Sequence, residues 1–187
     1  MVIINSIIGG DNMDNIELEI RERICNEALK HLGKPAKKFN RDFDCFDCEQ
    51  LVQVVYRDVL GIELKENGYG ASTTTRQFTS TIGILHIIDK CNDIEKMNIV
   101  KNNILPGDVL FFHTQSLNEF EPTLINRYPG HVAIYLGNLD YIHAKVKKGI
   151  VEIDNFEKSL KMQDKLVAYK NNITDDVIKI YQKKYRK

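Results

Sequence analysis

Net charge is the first thing this chain lacks: lysine plus arginine and aspartate plus glutamate each total 26. A balanced chain has no global field to draw it toward nucleic acid or an anionic membrane. The basic run Lys183-Lys184-Tyr185-Arg186-Lys187 reads as a solvated terminus, the usual fate of such a tail. Long apolar runs are also missing. No stretch approaches the length that crosses a bilayer, and the opening MVIINSIIGGDNMDN has neither a basic n-region nor an apolar run of signal-peptide length. The expectation is therefore a chain folded in the cytoplasm, with no nucleic-acid partner and no membrane insertion. Cysteine is scarce: residues 25, 45, 48 and 91 make no even disulfide framework, which suits a reducing compartment.

What remains is ordinary for a globular chain, 43% hydrophobic and 28% charged. At 187 residues it can bury a core without disulfides or structural metal. The expectation is one domain over 1–187, with a core of about 16–170 and a helical extension over 171–187. Ile16, Ile20, Ile24, Ala28 and Leu32 recur at four-residue steps, predicting a helix over 16–32 that Gly33 and Pro35 stop. Leu51, Val52, Val55, Val59 and Leu60 predict a second helix over 48–60, capped by Gly61. A third is expected from Thr74–Arg76 through Phe78, Ile82 and Leu85, which would put His86, like His31, on a helix.

Beyond Pro106 the periodicity changes. Residues 108–112, 131–137, 139–145, 149–154 and 165–170 are short β-branched or aromatic runs separated by turn signals such as Gly137-Asn138 and Lys148-Gly149. They read as an antiparallel meander, and helices followed by strands argue for an α+β domain. Thr174-Asp175-Asp176 marks the start of a closing helix. The long stretch between Phe112 and His131 is either a wall beside His131 or a surface insertion.

Three residues carry chemistry. Cys48 stands where a polar turn meets an amphipathic helix, so unpaired N–H groups and the helix dipole favour its thiolate; a buried core cysteine is the alternative. His131 and His143 lie on two strands joined by the Gly137-Asn138 turn, at an even separation. A hairpin centred between them would project both from one face. A thiol with two histidines on a rigid sheet supplies a nucleophile, a base and a group that orients the base. Asp47 braces the turn or caps the helix, and Asp47, Glu49 and Gln50 are candidate substrate contacts. Cys45-Phe46-Asp47-Cys48 is also a C-x-x-C. It leaves open a redox pair, a zinc site with the two histidines, or a plain turn cysteine that can form a disulfide with Cys48 on oxidation.

FDCEQLVQVVYRDVLGIEL, LPGDVLFF and PGHVAIYLGNLDYIHA, in that order, resemble the three signature blocks of the NlpC/P60 superfamily of papain-like cysteine peptidases. The similarity covers roughly 20–155, and VYRDVLGIEL is most similar to the branch found in phage tail assemblies. The resemblance implies a papain-like α+β fold with N-terminal helices packed on an antiparallel sheet. It implies Cys48 as nucleophile, His131 as base and His143 as the residue orienting it, with no metal or organic cofactor. It further implies hydrolysis of peptidoglycan stem peptides next to D-glutamyl or diaminopimelyl residues, with phage tail components as partners and virion association if the tail branch holds. Glu49-Gln50 stands where the family has a small pair, and Ala36 where it has a tyrosine. Both departures leave room for two other readings, an acyl or amide transferase of the same fold or a silent peptide-binding or tail-assembly component.

Overall fold

The computed structural model describes residues 15–37, 45–62, 83–113, 130–158 and 165–186. It contains α1 (Asn15–Leu29), α2 (Cys48–Leu60), β1 (Ile84–Ile87), α3 (Asp93–Asn102), β2 (Val109–Phe112), β3 (His131–Gly137), β4 (Asp140–Lys145), β5 (Ile150–Asn155), β6 (Leu166–Asn171) and α4 (Asp175–Tyr185). The strands form one six-stranded sheet in the order β1-β6-β2-β3-β4-β5, with every neighbouring pair antiparallel. The α+β class expected from the order of periodicities is the one observed.

Side-chain alternation sends the two faces of the sheet into two cores. Val109, Phe111, Val132, Ile134 and Ile142 join residues of α1, α2 and α4 on one side. Leu110, Phe112, Ala133, Tyr135 and Tyr141 join Val100, Phe156 and Leu166 on the other. β2 and β3 are thus covered on both faces, which is why DVLFF and HVAIYLG are almost continuously apolar.

α2 forms where the sequence places it because both ends are fixed. The Asp47 side chain accepts from the backbone N–H groups of Glu49 (3.0 Å) and Gln50 (2.8 Å), and the Gln50 side chain accepts from Asp47 N–H (3.0 Å). This reciprocal capping box starts the helix. Gly61, with φ of 71°, ends it. The segment leading to α2 is tied to the sheet: Gly33 N–H donates to Val151 (2.9 Å), Ala36 N–H to Gly149 (2.8 Å) and Phe46 N–H to Pro35 (3.0 Å).

Two expectations are corrected. The third helix fails within the described residues: Thr74–Ile82 lie outside them, but Ile84–Ile87 is a strand paired with β6. Gly83 breaks the presumed periodicity with φ of 83°, and a Cβ there would sit 2.4 Å from the Asn171 carbonyl oxygen. His86 is accordingly a strand residue, stacked on Tyr169 at 4.5 Å between ring centroids. α1 ends at Leu29, so His31 lies in the following turn and Leu32 is exposed rather than on the apolar face. α3 was not foreseen, although Asn92 and Glu95 form a capping box that the sequence carries. The basic C-terminal run is helical as far as Tyr185, whose hydroxyl donates to the Val59 carbonyl (3.1 Å). No helix among the described residues is long and apolar enough to cross a membrane.

A buried ion pair ties the helical layer to the sheet. Arg21, fully buried on α1, donates to Asp108 Oδ1 (2.9 Å), to the Pro106 carbonyl (2.9 Å) and to Asn171 Oδ1 (3.2 Å). Asp108 also accepts from Leu105 N–H (3.0 Å), holding the turn into β2. Removing one partner would strand the other charge in the interior. Arg21→Met is expected to destabilise the fold by about 3–5 kcal/mol in urea unfolding, and Arg21→Met/Asp108→Asn to recover part of that loss. Equal stabilities for the wild type and the single variant would show that the pair braces nothing.

Candidate active site

The β3–β4 hairpin brings two of the predicted residues into contact. The turn centres on Asn138 and Leu139, both left-handed with φ of 52° and 68°, one residue later than expected from Gly137-Asn138. Gly137 pairs with Asp140 next to the turn, whereas Tyr135 pairs with Tyr141 and Ile134 with Ile142. One extra residue, Leu136, is therefore bulged out of β3. Continued without that bulge, the turn register would pair His143 with Ile134 and place it on the face opposite His131. With it, the two histidines share a face. Their rings meet edge-on, and His131 Nε2 lies 2.7 Å from His143 Nδ1.

Behind His143 the contacts continue onto β5. His143 Nε2 is 3.2 Å from Asp154 Oδ2. The same oxygen accepts from Lys145 Nζ at 2.7 Å, and Lys145 also pairs with Glu152 at 2.5 Å. Among the described residues, His143, Glu152 and Asp154 are the group whose ligand atoms could share an ion, all within 4.8 Å. Lys145 already supplies the positive charge between the two carboxylates. The group contains neither Cys45 nor Cys48, so the zinc set of two cysteines and two histidines is not assembled there. Asp154, Lys145 and Glu152 escaped the sequence reading. Extending the β4 pairing through the Lys148-Gly149 turn would have found them, since His143 faces Glu152 and Tyr141 faces Asp154.

Cys48 opens α2 and packs against the helix-side core. Its sulfur is held near the Val132 backbone N–H, one residue along β3 from His131. The thiol thus approaches the backbone of β3 one residue from His131. Among the described residues no hydrogen bond joins Cys48 to His131. Cys45 and Cys48 are both free thiols. Asp47 and Gln50 are engaged in the helix cap, and Ala36 is buried beside the Phe46 strand bridge. His113, half-buried, continues β2 and donates its backbone N–H to Lys165 (2.8 Å).

Enclosure sets the protonation states. Burial pushes the Cys48 thiol up to about 12, opposed by hydrogen bonding from the Val132 backbone and reinforced by the Glu49 and Asp47 charges. Burial pushes His131 down to about 3, with His143 and Lys145 acting in the same direction. His143 is also lowered by burial, against the pull of Asp154. At rest the Cys48 thiol and the His131 imidazole are thus both neutral.

The NlpC/P60 family model matches residues 33–170, three quarters of the chain and every residue of this site. The chain belongs to the NlpC/P60 family. One curated relative is the gamma-DL-glutamyl hydrolase of Bacillus subtilis (strain 168), 28% identical over 120 residues. That match takes in 59% of this chain but only 26% of the relative, so the chain spans about a quarter of that protein's length. Among solved structures, NlpC2 from Trichomonas vaginalis aligns with a TM-score of 0.57 at 24% identity, over 90% of this chain and 49% of that one. An NlpC/P60 family protein from Bacillus cereus ATCC 10987 gives 0.58 at 16% identity, over 82% and 40%. The NlpC/p60 domain of the peptidoglycan hydrolase SagA gives 0.54 at 22% identity, over 81% and 97%. At these identities the likeness is one of fold, and it places this chain's helices-on-sheet arrangement among NlpC/P60 structures.

A neutral resting thiol has a measurable consequence. Below its pKa a thiol's alkylation rate rises about tenfold per pH unit. Iodoacetamide modification of Cys48, read on its peptide by mass spectrometry, should climb steadily between about pH 6 and pH 9. A rate already level across neutrality would reveal a preformed thiolate and contradict the enclosed, uncharged site.

Proposed function

We propose that this chain is a cysteine peptidase that hydrolyses peptide bonds in the stem peptides of peptidoglycan, with Cys48 as nucleophile, His131 as base and His143 as the residue that orients it. The observation that carries the reading is the 2.7 Å contact between His131 and His143 at the strand end where the Cys48 sulfur meets Val132. It is supported by membership of a family whose relatives named above include a gamma-DL-glutamyl hydrolase and a peptidoglycan hydrolase.

His131 Nε2 faces His143, which leaves Nδ1 as the atom to take the thiol proton. The sulfur then attacks the amide carbonyl, and the tetrahedral oxyanion collapses to a thioester as His131 returns the proton to the departing amine. Water, deprotonated by the same nitrogen, hydrolyses the thioester and regenerates the thiol. Asp47 takes the N–H groups of Glu49 and Gln50, while the Cys48 N–H is left as the oxyanion donor of the first helical turn. The turn of Asp47, Glu49 and Gln50 borders the thiol and completes the proposed substrate contacts. The reaction requires no metal or organic cofactor.

The capping box gives Gln50 a structural reason, which removes one argument for a silent, peptide-binding protein. The likeness of VYRDVLGIEL to the tail-assembly branch has no counterpart among the relatives named above, and tail partners form no part of the proposal. Val177 and Tyr181 of α4 join the same core as α1 and α2, which supports reading 1–187 as one domain.

Defined muropeptides incubated with the protein should yield products cleaved in the stem peptide, detected by mass spectrometry. Cys48→Ser should lower kcat by at least about 10³-fold with the fold retained, whereas Cys45→Ser should leave turnover unchanged. Loss of turnover in Cys45→Ser but not in Cys48→Ser would overturn the assignment. Products formed only with an added amine acceptor would move the chain to the transferases.

A further inference from the structure

We infer that Asp154 is a positioning residue that fixes the tautomers of both histidines and so points the basic nitrogen of His131 at the nucleophile. The inference rests on His131 being the base of the proposed reaction. It starts from hydrogen-bond direction. An ionised carboxylate only accepts, and a neutral imidazole carries one N–H and one bare nitrogen. Asp154 Oδ2 lies 3.2 Å from His143 Nε2 and 2.7 Å from Lys145 Nζ. Lys145 is itself paired with Glu152, so the cluster holds its charge in place. His143 Nε2 must then carry the hydrogen, which leaves His143 Nδ1 bare. A bare Nδ1 accepts, so the 2.7 Å contact obliges His131 Nε2 to be the donor. His131 Nδ1 is consequently the unprotonated atom.

The reversed chain would disable the site. If His143 carried its hydrogen on Nδ1, it would donate to His131 Nε2, and His131 would hold a hydrogen on the nitrogen meant to take the Cys48 proton. The two histidines alone allow either direction, because their contact is symmetric between donor and acceptor. Asp154 breaks that symmetry from two strands away. The ionised state of its carboxylate, opposed by burial, is favoured by hydrogen bonds from Lys145 and His143 and by the Lys145 charge. When His131 takes the thiol proton, Nε2–H remains on His143 and the charge is shared along the row without any rearrangement.

The test combines spectroscopy with kinetics. Long-range nitrogen–proton spectra of histidine-labelled protein should show both His131 and His143 as Nε2–H tautomers. In Asp154→Ala that pattern should be lost, with kcat reduced on the order of 10- to 100-fold and KM unchanged. This is a smaller effect than the roughly 10⁴-fold loss when the direct orienter of a triad histidine is altered. Asp154→Glu should restore part of kcat. Glu152→Gln, which weakens the same ion cluster without touching the imidazole, should leave tautomers and kcat unaltered. Unchanged tautomers in Asp154→Ala, or equal kcat losses in Asp154→Ala and Glu152→Gln, would overturn the inference. Hydrolysis that persists in Cys48→Ser would overturn the peptidase reading alone, and the tautomer signals would still decide the role of Asp154.

Discussion

The register of the β3–β4 hairpin governs everything else in the site. A strand has a period of two, so a shift of one residue exchanges its faces. The Asn138-Leu139 turn, continued regularly, would put His131 and His143 on opposite sides of the sheet. The bulge at Leu136 corrects the parity once. It is held by its surroundings: Tyr135 N–H donates to the Asp108 carbonyl (2.9 Å), Gly107 N–H donates to the Tyr135 carbonyl (2.8 Å), and the Tyr135 hydroxyl accepts from Leu139 N–H (3.1 Å). Asp108 is in turn fixed by Arg21. The buried ion pair, the turn before β2 and the bulge thus form one continuous support, and the contact between the histidines stands at its end.

The row of polar side chains that the support holds pairs its own polar atoms. His143 is buried, and an isolated buried imidazole would leave a nitrogen unpaired at a cost of about 1–3 kcal/mol. Here each of its nitrogens has a partner, His131 on one side and Asp154 on the other. The charge on Asp154 is balanced by Lys145, which keeps part of its surface in solvent. Charge therefore increases outward from the thiol: a neutral Cys48, neutral histidines, then a carboxylate and an ammonium near the surface. Burial disfavours ions at the thiol end, and solvent lowers their cost at the far end.

Much of this was legible in the sequence. The periodicity and caps of 48–60 defined α2 to the residue, because Asp47 and Gly61 are local signals that act on their own neighbours. The strands after Pro106 followed from short β-branched runs, and the pair His131 and His143 from their even spacing. What escaped depended on distant partners. β1 exists because it pairs with β6, more than eighty residues away, and its apolar residues are also compatible with a helix. The bulge leaves no mark at Leu136 itself, so the right conclusion about the shared face was reached from a turn one residue out of place. Asp154 was hidden because its importance lies in the β4–β5 register and in a lysine on the adjacent strand.

The turn that opens the helix carrying Cys48 both caps that helix and sets the charge around its thiol. A cysteine at the first helical position gains from unpaired amide groups only if the cap does not consume them. Asp47 satisfies the N–H groups of Glu49 and Gln50, and Gln50 returns a bond to Asp47, so the cap closes around its own second and third residues. The N–H of Cys48 stays outside that exchange. Asp47 and Glu49 bring negative charge close to the sulfur and, with burial, oppose a resting thiolate. The turn therefore anchors the helix with the same carboxylate that disfavours the Cys48 thiolate. The contacts that orient His131 come instead from the neighbouring strands, through His143 and Asp154.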